Sequence, residues 1–153
     1  GLEEVLYMGN LDALRDWGHA RDYVEMQWLM LQQESAEDFV IATGRQESVR
    51  RFIELSAGEL GWGGIKWEGN GTKEIGKRAD NGQIVIKIDP RYFRPSEVDS
   101  LLGNPSKAHE KLGWKTNTSL EDLVKEMVQS DLIESQKEAL LLKKGFNIIG
   151  ARE

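Results

Sequence analysis

Apolar positions recur along this chain at two spacings, and the switch between them predicts a mixed α/β unit. Val5, Leu6, Tyr7 and Met8 form a strand-length run closed by a Gly9–Asn10 turn. Residues 22–33 are expected to be helical, with Asp22 as the cap and Val24, Trp28 and Leu31 on one face. Met26, Leu29 and Met30 broaden that stripe. Residues 39–42, Phe-Val-Ile-Ala, are a second strand-length run. Ser48 opens another helix, whose buried side is Val49, Phe52, Ile53, Leu55 and Leu60 and whose stop is Gly61. Residues 65–67 read as a short strand, and the polar, glycine-rich stretch 69–82 as a mobile loop. Residues 83–89 carry the apolar alternation Ile84, Ile86, Ile88, the mark of a half-buried strand.

The last third is helical in pattern. Asn104 and Pro105 suit a helix cap and first position, and Gly113 ends that helix. Thr118, Ser119, Leu120 and Glu121 fit a capping box, followed by Leu123, Val124, Met127 and Val128 at helical spacing. The continuation to Leu140, Leu141 and Leu142 is either the same helix or a second one. Trp114 is expected to anchor packing, and so is Trp17.

Composition narrows the chemistry. In 153 residues there is no cysteine, so thiol nucleophiles, disulfides and cysteine-bound metals are excluded. His19 and His109 are far apart and lack metal-ligand spacing; both read as structural. The 26 acidic residues outnumber 20 basic ones, an argument against a nucleic-acid partner. No apolar run reaches the roughly 20 residues that cross a bilayer, and no secretory signal opens the chain. Its first residue is Gly1 rather than methionine, so the chain is expected to be a portion of a longer protein.

Two segments carry candidate binding chemistry. Residues 89–98 read Asp-Pro-Arg-Tyr-Phe-Arg-Pro-Ser-Glu-Val. Pro95 suits a first helical position, which puts Arg94 beside unpaired backbone N–H groups at the positive end of the helix dipole. Phosphate is well received there, and a guanidinium grips a diphosphate bidentately. Glu97, three residues on, could accept hydrogen bonds from sugar hydroxyls. A capped surface helix with an Arg–Glu pair accounts for the same spacing. The second segment, residues 11–24, contains Arg15, flanked by Asp12 and Asp16; either carboxylate could equally be its ion-pair partner.

Taken with Met26-Gln27-Trp28-Leu29-Met30-Leu31-Gln32-Gln33, residues 39–44 and Ser106-Lys107-Ala108-His109-Glu110-Lys111-Leu112-Gly113-Trp114-Lys115, these two segments resemble the carboxyl-terminal part of the GDP-mannose 4,6-dehydratases, extended short-chain dehydrogenase/reductases. The resemblance runs in order through nearly the whole chain. It implies an α/β fold made of mixed short strands and helices, the substrate-binding part of an extended Rossmann-type nucleotide-sugar enzyme. Arg15 and Arg94 resemble the arginines that close on the substrate diphosphate from two sides, and Glu97 the carboxylate that holds the ribose. The implied partner is GDP-mannose or GDP. A cytoplasmic, homo-oligomeric enzyme of the GDP-fucose route is further implied.

The family's chemistry uses bound NADP and a tyrosine-x-x-x-lysine pair. Four residues after Tyr7, Tyr23 and Tyr92 stand Leu11, Gln27 and Ser96, so no such pair exists here. The glycine clusters at 61–64 and 69–71 follow a helix or a strand in the wrong order for a dinucleotide turn. Residues 1–153 are therefore expected to be a substrate-binding portion with no catalytic, cofactor or metal residues of its own, inactive alone, the NADP-binding half being absent. Alternatives are a stand-alone GDP or GDP-sugar binding module, a truncated remnant, or another nucleotide-sugar dehydratase, epimerase or reductase.

Overall fold

A computed structural model describes residues 2–94 and 101–146. Its frame is a four-stranded sheet. The strands are β1 (Leu6–Met8), β4 (Ile65–Glu68), β5 (Ile75–Arg78) and β6 (Ile84–Ile88), in the order β1-β6-β5-β4. β1 runs parallel to β6, with Leu6 opposite Ile86 and Met8 opposite Ile88, while β4, β5 and β6 form an antiparallel meander. β2 (Leu14–Arg15) and β3 (Glu47–Ser48) make a separate two-stranded ribbon. Among the described residues the helices are α1 (Ala20–Leu31), α2 (Val49–Glu59), α3 (Ser106–Leu112) and α4 (Leu120–Lys143). The mixed α/β class expected from the apolar pattern is the class observed. Among the described residues no helix is long and apolar enough to cross a membrane.

Where caps and periodicity agree, the elements fall where the sequence puts them. The Ser48 hydroxyl accepts from the Arg51 N–H at 3.1 Å and starts α2. At the other end Trp62 N–H reaches Ala57 O and Gly61 N–H reaches Gly58 O, with Gly61 at φ +72°. That pairing satisfies the last carbonyls and ends the helix. β6 buries Ile86 and Ile88 as the alternation requires. α4 is one continuous helix, capped by Ser119 rather than Thr118. The Ser119 hydroxyl accepts from Asp122 N–H at 3.1 Å and donates to the Asp122 carboxylate at 2.6 Å.

Four further expectations are corrected. Residues 69–82 are not a loop. They hold a short 3₁₀ turn (Gly71–Lys73) and β5, which lies in the sheet's interior between β4 and β6. The strand escapes a search for apolar alternation because it reads Ile-Gly-Lys-Arg. Gly76 is there because a Cβ would come within 2.7 Å of the Trp67 ring. Its basic residues are tied down at the sides, Lys77 to Glu68 at 2.6 Å and Arg78 to Asp80 at 2.6 Å.

Residues 39–42, expected to be a strand, have no ladder among the described residues. Phe39 and Ile41 pack instead on a core cluster of Met26, Ala108 and Trp114. α1 starts earlier than expected, with the His19 ring accepting from Arg21 N–H at 2.9 Å, so Asp22 is not its cap. The buried face of α1 also differs from the expected one. Met26 is fully buried, whereas Val24, Trp28 and Leu31 are 61%, 59% and 81% exposed.

Asp22 explains the rotation. Its carboxylate is buried and accepts the N–H groups of Asn117 at 3.1 Å and Thr118 at 3.0 Å, and its carbonyl accepts from the Trp114 indole at 2.9 Å. A buried carboxylate that receives two backbone donors outweighs one more apolar side chain in setting which face turns inward. Trp114 is thereby the packing anchor the sequence suggested.

Candidate functional site

The parallel pairing of β1 and β6 decides where the candidate ligands meet. Both strands end at the same edge of the sheet, where the Asp89 N–H donates to Met8 O at 2.9 Å. Residues 9–15 follow β1 from that edge and residues 89–94 follow β6 from it. The mouth of parallel strands at their carboxyl ends is the usual ligand position in open α/β sheets. Here it holds an open cleft of about 390 Å³.

Arg15 and Arg94 both line that cleft, together with Gly9, Ala13, Arg91 and Tyr92. The two arginines singled out in the sequence, distant along the chain, are brought to one place. Glu97 and the helix expected to begin at Pro95 lie outside the described residues. The carboxylates considered as partners for Arg15 are engaged elsewhere. Asp12 receives Arg50 Nε at 2.9 Å, and Asp16 accepts from the Thr43 N–H and hydroxyl and from the Gly44 N–H at 2.7–3.0 Å. Arg15 itself is held on β2, opposite Glu47, and one of its guanidinium nitrogens donates to Leu14 O at 2.8 Å.

The turn that carries Arg94 is built on Asp89. Its carbonyl accepts from Tyr92 and Phe93 N–H at 3.0 and 3.1 Å, and its carboxylate from Arg91 N–H at 2.8 Å. The Arg91 guanidinium closes on both carboxylate oxygens at 2.6–3.1 Å. Gly9 lets the turn come close, since a Cβ there would sit 2.4 Å from Tyr92 O. Sequence reasoning left Arg91 and Tyr92 without a role. Both stand in the motif that names Arg94, but only the turn geometry puts them in the cleft.

The Arg91 side chain, and then its N–H, hold the Asp89 carboxyl below the usual carboxylate range. A depressed carboxyl stabilises the fold above its unfolded-state pKa, and that contribution disappears as pH falls through the folded-state value. The stability difference between the parent chain and Asp89→Asn is therefore expected to be constant at neutral pH and to shrink below about pH 4. Thermal unfolding of both across that range checks it, and a difference independent of pH would refute it.

The other aromatic candidates lie apart from this cleft. Trp17 packs on Phe52, with ring centroids 4.7 Å apart, and its indole donates to Glu47 O at 3.1 Å, a packing role as expected. His19 caps α1 and faces Glu126 at 3.3 Å.

Comparison with known proteins adds the family. A model of GDP-mannose 4,6 dehydratase matches residues 1–127. The chain is 51% identical to a GDP-mannose 4,6-dehydratase of Yersinia enterocolitica and 54% identical to one of Vibrio cholerae. Each match covers 97% of this chain, which spans only 42% of the length of each relative. Among solved structures, RMD from Pseudomonas aeruginosa in complex with NADPH aligns with TM-score 0.60 at 18% identity, over 82% of this chain and 35% of that one. At that identity the likeness is one of fold.

Proposed function

The chain belongs to the GDP-mannose 4,6-dehydratase family, and on that premise we propose that it is the GDP-holding, carboxyl-terminal part of an enzyme that converts GDP-mannose to GDP-4-keto-6-deoxymannose and water. The observation that carries the reading is the convergence of Arg15 and Arg94 on one cleft. Two planar, permanently charged forks suit the oxygens of a diphosphate, which neither can lose by deprotonation. Glu97 takes the ribose hydroxyls in this reading. Binding energy from the remote diphosphate and nucleoside then serves to orient the hexose.

The NADP of the reaction is assigned to an amino-terminal part of a longer chain, because the residues described here do not fit a dinucleotide. Gly61, Gly63 and Gly64 follow α2 and precede β4, so no glycine turn opens a helix after a strand there. The 153 residues alone are accordingly inactive. The exposed stripe of Val24, Trp28 and Leu31 on α1 is, in this reading, the surface against which that part packs. The assembled enzyme is a cytoplasmic homo-oligomer, as the family resemblance implies.

Titrating the chain with guanosine, GMP and GDP tests the reading. Affinity should rise with each phosphate and be highest for GDP. Equal affinity for guanosine and GDP would overturn it.

A further inference from the structure

The diphosphate reading leaves the nucleobase without a partner, and the cleft contains a side chain suited to it. Tyr92 lines the cleft with Arg15 and Arg94, yet the residue is 56% exposed. An aromatic ring left open inside a cationic cleft offers an apolar face where a purely electrostatic site would need none.

The ring is well supported. Its backbone N–H is bonded to Asp89 O at 3.0 Å, and its carbonyl abuts Gly9 so closely that no Cβ fits between. The Arg91 guanidinium carbon lies 5.6 Å from the ring centroid. Asp89 in turn pins Arg91 through both carboxylate oxygens. The aromatic ring is thus backed by a fixed cation, which draws electron density from it and favours stacking against an electron-rich heterocycle.

Spacing agrees. Tyr92 and Arg94 are two residues apart, so their Cα atoms lie within roughly 7 Å of each other. That separation matches a base and a phosphate joined through one ribose. The five tryptophans do not compete for the role, since none lines this cleft.

We propose that Tyr92 is the stacking platform for the nucleobase of the bound nucleoside diphosphate, with Arg91 and Asp89 as the residues that position it. The assignment rests on the reading of Arg15 and Arg94 as diphosphate ligands. Stacking is tolerant of base identity, so Tyr92 supplies affinity and not the choice of guanine over other bases.

Calorimetric titration of the chain with GDP and with inorganic pyrophosphate tests it. Tyr92→Ala is expected to weaken GDP binding roughly 10-fold or more, the loss typical of one base–aromatic stack, while pyrophosphate binding is unchanged. Tyr92→Phe, which keeps the ring, should bind GDP like the parent chain. GDP carries no hexose, so its loss with pyrophosphate binding kept assigns the ring to the nucleoside and not to the hexose. Unaltered GDP affinity in Tyr92→Ala would overturn the assignment alone, as would an equal loss of pyrophosphate, which would mark Tyr92 as a support for the turn. A parent chain that binds neither ligand would overturn the diphosphate reading as well.

Discussion

Replacing Met26 by alanine should destabilise the chain by about 2–5 kcal/mol, whereas Trp28→Ala should cost under about 1 kcal/mol. The two residues lie on the same helix and differ in which way they face. Met26 is fully buried in the cluster with Ala108 and Trp114, and Trp28 is 59% exposed. Removing the Met26 side chain forfeits its transfer energy and leaves a cavity among side chains that α3 and Trp114 hold in place, so little collapse can compensate. Urea unfolding of the two variants decides the point. A larger loss for Trp28→Ala would mean that α1 is turned the other way and that the bonds from Asp22 to Asn117 and Thr118 do not set its rotation. The pair also separates two contributions that a hydrophobicity count merges, core packing within this chain and apolar surface reserved for another part.

That merger is why α1 was only half legible in the sequence. Its length and position follow from a helical run of apolar residues, but Tyr23, Val24, Met26, Trp28, Leu29, Met30 and Leu31 surround the helix on most sides. Periodicity cannot choose a face when nearly every side is apolar. The choice is made by a buried carboxylate with partners some 95 residues away, as the Asp22–Asn117 bond shows. β5 was missed for the opposite reason. Its place between β4 and β6 is fixed by backbone pairing and by a glycine that admits the Trp67 ring, neither of which leaves an apolar trace. By contrast α2, β6 and the end of α3 carry their own local signals: a capping serine, a two-residue alternation, and a glycine at φ +65°.

The site divides in the same way. Arg15 and Arg94 could be singled out by residue type, flanking residues and family resemblance. Their meeting is a property of topology, since it depends on β1 lying parallel beside β6 with their carboxyl ends level. Arg91 has no isolated signal, because an arginine two residues from an aspartate is ordinary on any surface. Only the hydrogen bonds that make Asp89 the centre of the turn show that the pair supports Tyr92 and Arg94. Local sequence thus supplies the chemistry of this cleft, and long-range pairing supplies its geometry.

Arg94→Ala is the substitution expected to affect ligand binding most. A charged, hydrogen-bonded group on a diphosphate contributes roughly 1.5–3 kcal/mol, so GDP affinity should fall about 10- to 100-fold. Arg94→Lys separates charge from shape. It keeps the positive charge but cannot present two parallel N–H groups, and an intermediate loss is expected if the contact is bidentate. Glu97→Gln should be milder, since an amide oxygen still accepts from a ribose hydroxyl. Because the Asp89–Arg91 pair, Gly9 and the backbone of the turn are untouched in these variants, the fold should unfold at the parent temperature; for the Arg94 variants the loss should appear in GDP and pyrophosphate alike, and for Glu97→Gln in GDP alone. Unchanged GDP affinity in Arg94→Ala would remove the diphosphate from this cleft. The arginines would then be charges gathered at the end of the sheet by topology and not by a ligand.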